Sequence, residues 1–176
     1  YVHNAGAATT LGPFLDMPVE TMRDLVARNV IAVMEACSNF GRPMRIRGRG
    51  GIVLMGSGAG LGGQPGLAVY SGVKGFMLNL AESLWSELRH AGVDVVGIAA
   101  PMMDTPTLRR SLGDTKMTGI YDPAEVVRTA LLHLGNGPSY VYALDPSEQV
   151  FERETAARKE RVLAVERVSA ALLGGD

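Results

Sequence analysis

Cysteine is all but missing from this chain. Cys37 stands alone among 176 residues, so no internal disulfide can form, and a reducing, cytoplasmic setting is expected. Lysine is scarce as well: Lys74, Lys116 and Lys159 stand against fourteen arginines. The three histidines, His3, His90 and His133, are scattered without the spacing of a ligand set, so no metal site is read. Aromatic residues make up only 6%, and none interleave with the basic cluster Arg42, Arg45, Arg47 and Arg49. With a net charge of −1, this argues against nucleic acid or an anionic membrane as a partner. The cluster reads instead as a solvated helix end, where cations suit the macrodipole. No apolar run approaches the ~20 residues of a membrane span, and no secretory pattern opens the chain. Internal repeats and low-complexity tracts are lacking. So is an initiating methionine: the chain opens at Tyr1 in the middle of a pattern, and we expect it to be a piece of a longer protein.

What is present is enough for one domain with a sizeable core, since 47% of residues are hydrophobic. The organising stretch runs from Ser57 to Lys74. The apolar run Gly51-Ile-Val-Leu-Met55 leads into it as a short buried strand. Val73, Phe76, Met77, Leu80, Leu84 and Leu88 lead out of it at the spacing of an amphipathic helix. Ser57 therefore falls at the carboxyl end of a strand, behind a glycine-rich turn. Tyr70 and Lys74, four residues apart, share one face at the head of a helix. A phenol normally titrates near pH 10, and a nearby ammonium lowers that value. A tyrosine so tuned can exchange a proton with a carbonyl or alcohol oxygen that a serine hydroxyl holds. Alone, Tyr-x-x-x-Lys is most often a solvated surface pair. Here one of only three lysines supplies it, thirteen residues after a strand-end serine.

The stretch Gly51 to Lys74 resembles the active-site segment of the short-chain dehydrogenase/reductases. The resemblance implies that Tyr70 is the general acid/base and that Ser57 orients the substrate oxygen. It also implies that Lys74 binds the nicotinamide ribose and lowers the tyrosine pKa. The resemblance extends along the chain. Tyr1-Val2-His3-Asn4-Ala5-Gly6 reads as a strand end and turn. It is similar to the family's Asn-Asn-Ala-Gly, with Asn4, Ala5 and Gly6 matching and His3 in place of the first asparagine; there the turn lies against the cofactor. From about Pro18 to residue 40 a helix carries Met22, Leu25, Val26, Val33 and Cys37 as its apolar stripe, with Asn29 on that stripe in need of a partner. The family places an asparagine here that holds a water leading protons to the lysine, and Asn29-Val30 fits. A strand over Val93–Ala100 follows Gly92, a C-cap of the Tyr70 helix. Pro101 and Thr105 match a segment that touches the nicotinamide, with Met102 replacing its usual glycine. Met102, Met103 and Met117 read as core rather than pocket. Asp122-Pro-Ala-Glu125 opens another helix, Ser139–Leu144 a strand, and Ser147–Leu173 a terminal helix with a stripe through Val150, Val162, Val165 and Leu172.

We therefore expect the C-terminal portion of a doubly wound, Rossmann-like α/β parallel sheet, residues 1–176 forming one partial dehydrogenase domain from the family's fourth strand onward. Its ligands would lie beyond the carboxyl ends of the strands. The implied function is NAD- or NADP-dependent oxidoreduction of a small-molecule carbonyl or alcohol. The catalytic set is Asn29, Ser57, Tyr70 and Lys74; Asn4, Ala5, Gly6, Tyr70, Lys74, Pro101 and Thr105 are the cofactor set. Helices at 18–40 and 71–90 resemble those that pair subunits, implying a homodimer or homotetramer. Two alternatives stand beside this reading: a sugar-nucleotide epimerase or dehydratase, and a non-catalytic fragment or interaction module. The family's glycine-rich phosphate loop is not in these residues, so the 176 residues alone are expected to bind dinucleotide weakly and be inactive, with the Tyr1 strand an unpaired edge.

Overall fold

Two strands whose side chains alternate between faces form the centre of the molecule. In β2 (Gly50–Met55), Ile52 and Leu54 face one way and Val53 and Met55 the other. In β3 (Val93–Ala99), Val93 and Val95 share the first face and Val96 and Ile98 the second. All eight are buried. Both strands therefore read as continuous apolar runs, as strands of a parallel sheet covered on both sides must.

The computed structural model describes the backbone of residues 1–7, 12–112, 119–142 and 150–173, and the side chains of these except 111–112, 150–152 and 168–173. Its order is β1 (Val2–His3), α1 (Val19–Val26), a π-helical segment (Ala27–Ile31), α2 (Ala32–Arg47), β2, α3 (Ala68–Leu88), β3, α4 (Pro106–Leu112), α5 (Pro123–Leu132), β4 (Ser139–Val141) and α6 (Val150–Leu173). The four strands lie in the order β1-β2-β3-β4, every pair parallel. The expected Rossmann-like α/β architecture is thus present. α2 and α3 cover one face, where Val33, Cys37, Met44, Met77, Ala81 and Trp85 pack on Ile52 and Leu54. α5 covers the other through Val126 and Ala130. β1 is an edge strand bonded only to β2 among the described residues, and Val2 on it is 56% exposed.

Several boundaries and faces depart from the expectation. The helix read over 18–40 continues to Arg47 and carries Pro43 inside it. Its stripe runs through Leu25, Asn29, Val33, Cys37, Gly41 and Met44, while Val26 is 37% exposed. The π segment adds a residue to the turn, which rotates the face that follows. The four arginines of the basic cluster are all exposed at the end of α2, as read. Met103 packs beside the second core face, but Met102 is 40% exposed and is no core residue. Met117 and the 143–149 stretch, with the ends of the strand and helix read there, lie outside the described residues.

α6 lies against α3 and β4. Val162 and Leu163 pack on the first core face, whereas Val165 is 58% exposed and leaves the expected stripe; the side chains of Val150 and Leu172 lie outside the described set. Polar contacts hold this helix in register. Buried Arg158 pairs with buried Glu82, which also accepts from the Ser139 hydroxyl. Arg89 pairs with Glu166 at 2.8 Å, and its guanidinium lies 4.5 Å from the Trp85 ring centroid. Among the described residues, no helix is long and apolar enough to cross a membrane.

Candidate active site

Where β2 ends, the chain turns sharply across the head of α3. Ser57 is extended (φ −155°, ψ 151°), and its Oγ accepts a 3.2 Å hydrogen bond from the Ala59 N–H to start the Gly58–Leu61 turn. That turn lies directly on the α3 backbone: a Cβ on Gly60 would stand 2.7 Å from the carbonyl carbon of Lys74. Only glycine permits this approach. Ser57 and Tyr70, thirteen residues apart, are brought together by it, close enough that the Ser57 side chain acts on the phenol. Tyr70 occupies the first turn of α3 and is half-buried.

Lys74, one turn further on, is 3% exposed. Its ammonium lies 5.6 Å from the Tyr70 ring centroid and donates to the Met55 carbonyl at 3.3 Å and the Met77 sulfur at 3.5 Å. One partner is distant and the other soft, so the charge is thinly compensated. Burial accordingly pulls its pKa down to about 8. Tyr70 moves the opposite way from the expectation. Burial pushes its phenol above the ordinary value, and the Ser57 side chain only opposes that rise. The expected lowering by Lys74 is thus corrected: the ammonium is drawn toward the end of β2, and desolvation of the phenolate outweighs any attraction. Tyr70 at neutral pH is a protonated phenol.

A second group of residues gathers at the end of β1. Asn4 and Ala5 are exposed and Gly6 is buried, with φ 118°. A Cβ on Gly6 would fall 2.1 Å from Asn29 Oδ1, so the turn and the asparagine are in direct contact. Asn29 is wholly buried in the π segment. Its Nδ2 donates to the Leu25 carbonyl at 3.0 Å, and its Oδ1 has no hydrogen-bond partner among the described residues. His3 is also buried, at 7% exposure. Its Nδ1 lies 2.7 Å from the Tyr1 hydroxyl, and the Tyr1 ring stacks on Phe40. Sequence reasoning treated His3 only as a departure from a motif. Its burial comes with long-range neighbours, among them the Tyr1 ring stacked on Phe40 of α2, and the one local signal was the tyrosine two residues before it.

The last group follows β3. Pro101 and Thr105 are half-buried. The Thr105 Oγ1 accepts from the Leu108 N–H at 3.2 Å and so caps α4. Exposed Met102 binds the Tyr121 N–H through its carbonyl, and Tyr121 in turn accepts from the Asp104 N–H. Among the described residues no cluster of histidine, cysteine or carboxylate side chains is arranged to hold a metal ion.

Known proteins resemble this chain in sequence and in fold. A model of the short chain dehydrogenase family matches residues 1–116. The very-long-chain 3-oxoacyl-CoA reductase of Aspergillus niger is 34% identical over 149 residues, covering 82% of this chain and 42% of that protein. The reductase of the same name from Coccidioides immitis is 31% identical over 135 residues, covering 76% and 38%. The chain therefore spans about two-fifths of the length of these relatives. Among solved structures, a short chain dehydrogenase/reductase family protein superposes with a TM-score of 0.72 at 26% identity, over 80% of this chain and 63% of that one. A gluconate 5-dehydrogenase from Burkholderia cenocepacia, in complex with NADP and tartrate, shares the fold with a TM-score of 0.71 at 20% identity, over 80% and 61%.

Proposed function

This chain belongs to the short-chain dehydrogenase family, and from that premise we propose that it carries the acid/base half of a nicotinamide-dependent carbonyl reductase. The observation that carries the reading is the placing of Ser57 at the carboxyl end of β2 beside the Tyr70 phenol, with the buried Lys74 ammonium 5.6 Å from the Tyr70 ring centroid. A raised phenol pKa keeps the Tyr70 proton in place until a carbonyl oxygen begins to gain charge. The Ser57 hydroxyl donates to the same oxygen and fixes its distance from the phenol. The site thus favours reduction, in which Tyr70 must arrive protonated.

The residues present fit the nicotinamide end of NAD or NADP. Lys74 has donor capacity left after two weak contacts. The turn at Asn4, Ala5 and Gly6 and the segment from Pro101 to Thr105 border the same sheet end. The Thr105 hydroxyl oxygen accepts in capping α4, which leaves its proton to donate to that contact. When bound, the nicotinamide supplies the hydride; Tyr70 supplies the proton, Ser57 positions the oxygen and Lys74 holds the ribose. Asn29, buried with its Oδ1 unpartnered among the described residues, would be the link from Lys74 to a proton source. In its relatives' names the substrate is a 3-oxoacyl thioester, which is the first carbonyl to try. Exposed Val19, Ile31, Met34 and Phe40 on the α1–α2 side offer a surface for a homodimer or homotetramer.

The test is nicotinamide oxidation by the complete polypeptide that carries this chain, with 3-oxoacyl thioesters and simpler ketones. Tyr70→Phe is expected to lower turnover by about 10²–10⁴-fold with cofactor affinity unchanged. A variant that keeps wild-type turnover means that another group is the acid.

A further inference from the structure

We propose that α6 is a built-in cap on the outer edge of the sheet: it holds the place on β4 that a strand of a second copy of this chain would otherwise take, and so closes assembly through β4. β4 ends the strand order and is bonded to β3 alone among the described strands. Along a strand, the N–H groups of successive residues point to opposite sides. The Tyr142 N–H reaches inward to the Ala99 carbonyl at 3.2 Å, so the Val141 N–H points outward, away from β3. An outward N–H on a sheet edge is a template for another strand. Here the Thr155 hydroxyl of α6 accepts from it at 3.0 Å.

The chemistry of the helix suits an edge rather than a core. Thr155, Arg158, Lys159, Val162 and Glu166 recur at helical spacing and so share one face. All but Val162 are polar, and each polar one bonds to the body of the fold. Arg158 pairs with Glu82, whose carboxylate also accepts from the Ser139 hydroxyl on β4 itself. The Lys159 ammonium donates at 2.8 Å to the Asn136 carbonyl, just ahead of β4. Glu166 accepts from Arg89 at 2.8 Å. A helix laid on a core would turn a broad apolar stripe inward. This face instead offers donors and acceptors where backbone groups need them. Arg158 and Glu82 are both buried, and either one alone would be a costly charge, so the pair latches α6 in one register.

The covered edge fits one partner, β4 of a second copy. Pairing about a two-fold axis brings the same edge of both chains together, antiparallel, and gives the outward N–H of each Val141 an acceptor on the other. Docked α6 fills that space on both copies. Wild-type assembly is thereby left to other faces, such as the exposed apolar side chains of α1 and α2.

The test uses the complete polypeptide that carries this chain. Arg158→Glu sets two carboxylates together and releases α6. Sedimentation is then expected to show an assembly of about twice the wild-type mass. Val141→Pro in that background removes the outward donor, which an edge strand can spare, and is expected to return the mass to the wild-type value. Wild-type mass in Arg158→Glu, or a doubled mass that Val141→Pro leaves in place, overturns the proposal. If Arg158→Glu does not fold, Glu166→Arg, which meets Arg89 with a like charge near the surface, carries the same test. Thr155→Val keeps the side-chain shape and removes the acceptor. There the Val141 amide hydrogen is expected to exchange roughly tenfold faster than in wild type, the worth of one hydrogen bond; an unchanged rate overturns the proposal as well.

Discussion

Gly6→Ala reads the contact between the first turn and the active-site asparagine most directly. Two costs arise from the structure. Gly6 has φ 118°, a region that residues with a Cβ rarely occupy and that costs roughly 1–3 kcal/mol. The new methyl would also stand 2.1 Å from Asn29 Oδ1 and 2.6 Å from its Cγ, against a wholly buried side chain. Forcing atoms into a filled interior costs roughly 1–3 kcal/mol more. The expected loss is about 2–6 kcal/mol, a large share of the stability of an ordinary domain. Asn29→Ala removes the obstructing atoms but not the backbone strain. In that background Gly6→Ala should therefore cost about 1–3 kcal/mol less than it does alone. The assay is urea unfolding of the native protein and the three variants, followed by circular dichroism, with the cycle cancelling whatever Asn29→Ala costs by itself. If the two single losses add to the double within about 0.5 kcal/mol, the turn does not bear on Asn29, and the reasoning that joins β1 to the site fails.

The remaining expectations concern charge. Arg158→Met leaves the Glu82 carboxylate buried without its partner, and a loss of about 3–5 kcal/mol is expected in thermal or urea unfolding. Adding Glu82→Leu should recover part of that loss; a double variant worse than Arg158→Met alone would show that the pair stabilises α6 on its own account. For Lys74 the pH dependence has a definite sign. Its pKa is lowered to about 8, so the ammonium that faces Tyr70 is present below that pH and is lost above it. Reductive kcat/KM should fall as pH rises through about 8. A descending limb only near the ordinary lysine value would mean that Lys74 is better solvated than its burial indicates.

Much of the fold was written in local pattern. The alternation of β2 and β3, the helix after Tyr70 and the proline-led start of α5 follow from side-chain period and from cap chemistry, which act within a few residues. Asp122 accepts from the Ala124 N–H at 3.0 Å where the sequence placed a helix start. The π segment was not legible. Ala27-Arg-Asn-Val-Ile31 carries no breaker, and its Asn29 side chain lies against a turn 23 residues earlier, at Gly6, which no local pattern encodes. Without that widening the helical period assigned Val26 to a buried stripe that it does not join. The run of α2 through Pro43 escaped for a related reason: the sheet-facing contact of Met44 outweighs the local cost of proline.

The sequence by itself determined which side chains could do chemistry. A serine behind a strand, a tyrosine and a lysine one helical turn apart, and an asparagine on an apolar stripe are matters of residue type and spacing, and spacing along one element fixes which face each occupies. Tertiary structure decided their electrostatic state. Whether Tyr70 titrates above or below an ordinary phenol depends on how much water α3 and the Gly58–Leu61 turn exclude, and on where the buried Lys74 ammonium is drawn. Those quantities are sums over neighbours distant in sequence, so no local pattern encodes them. The same holds for His3, a motif departure by sequence, whose burial at 7% exposure is set by the tertiary packing around a two-residue strand.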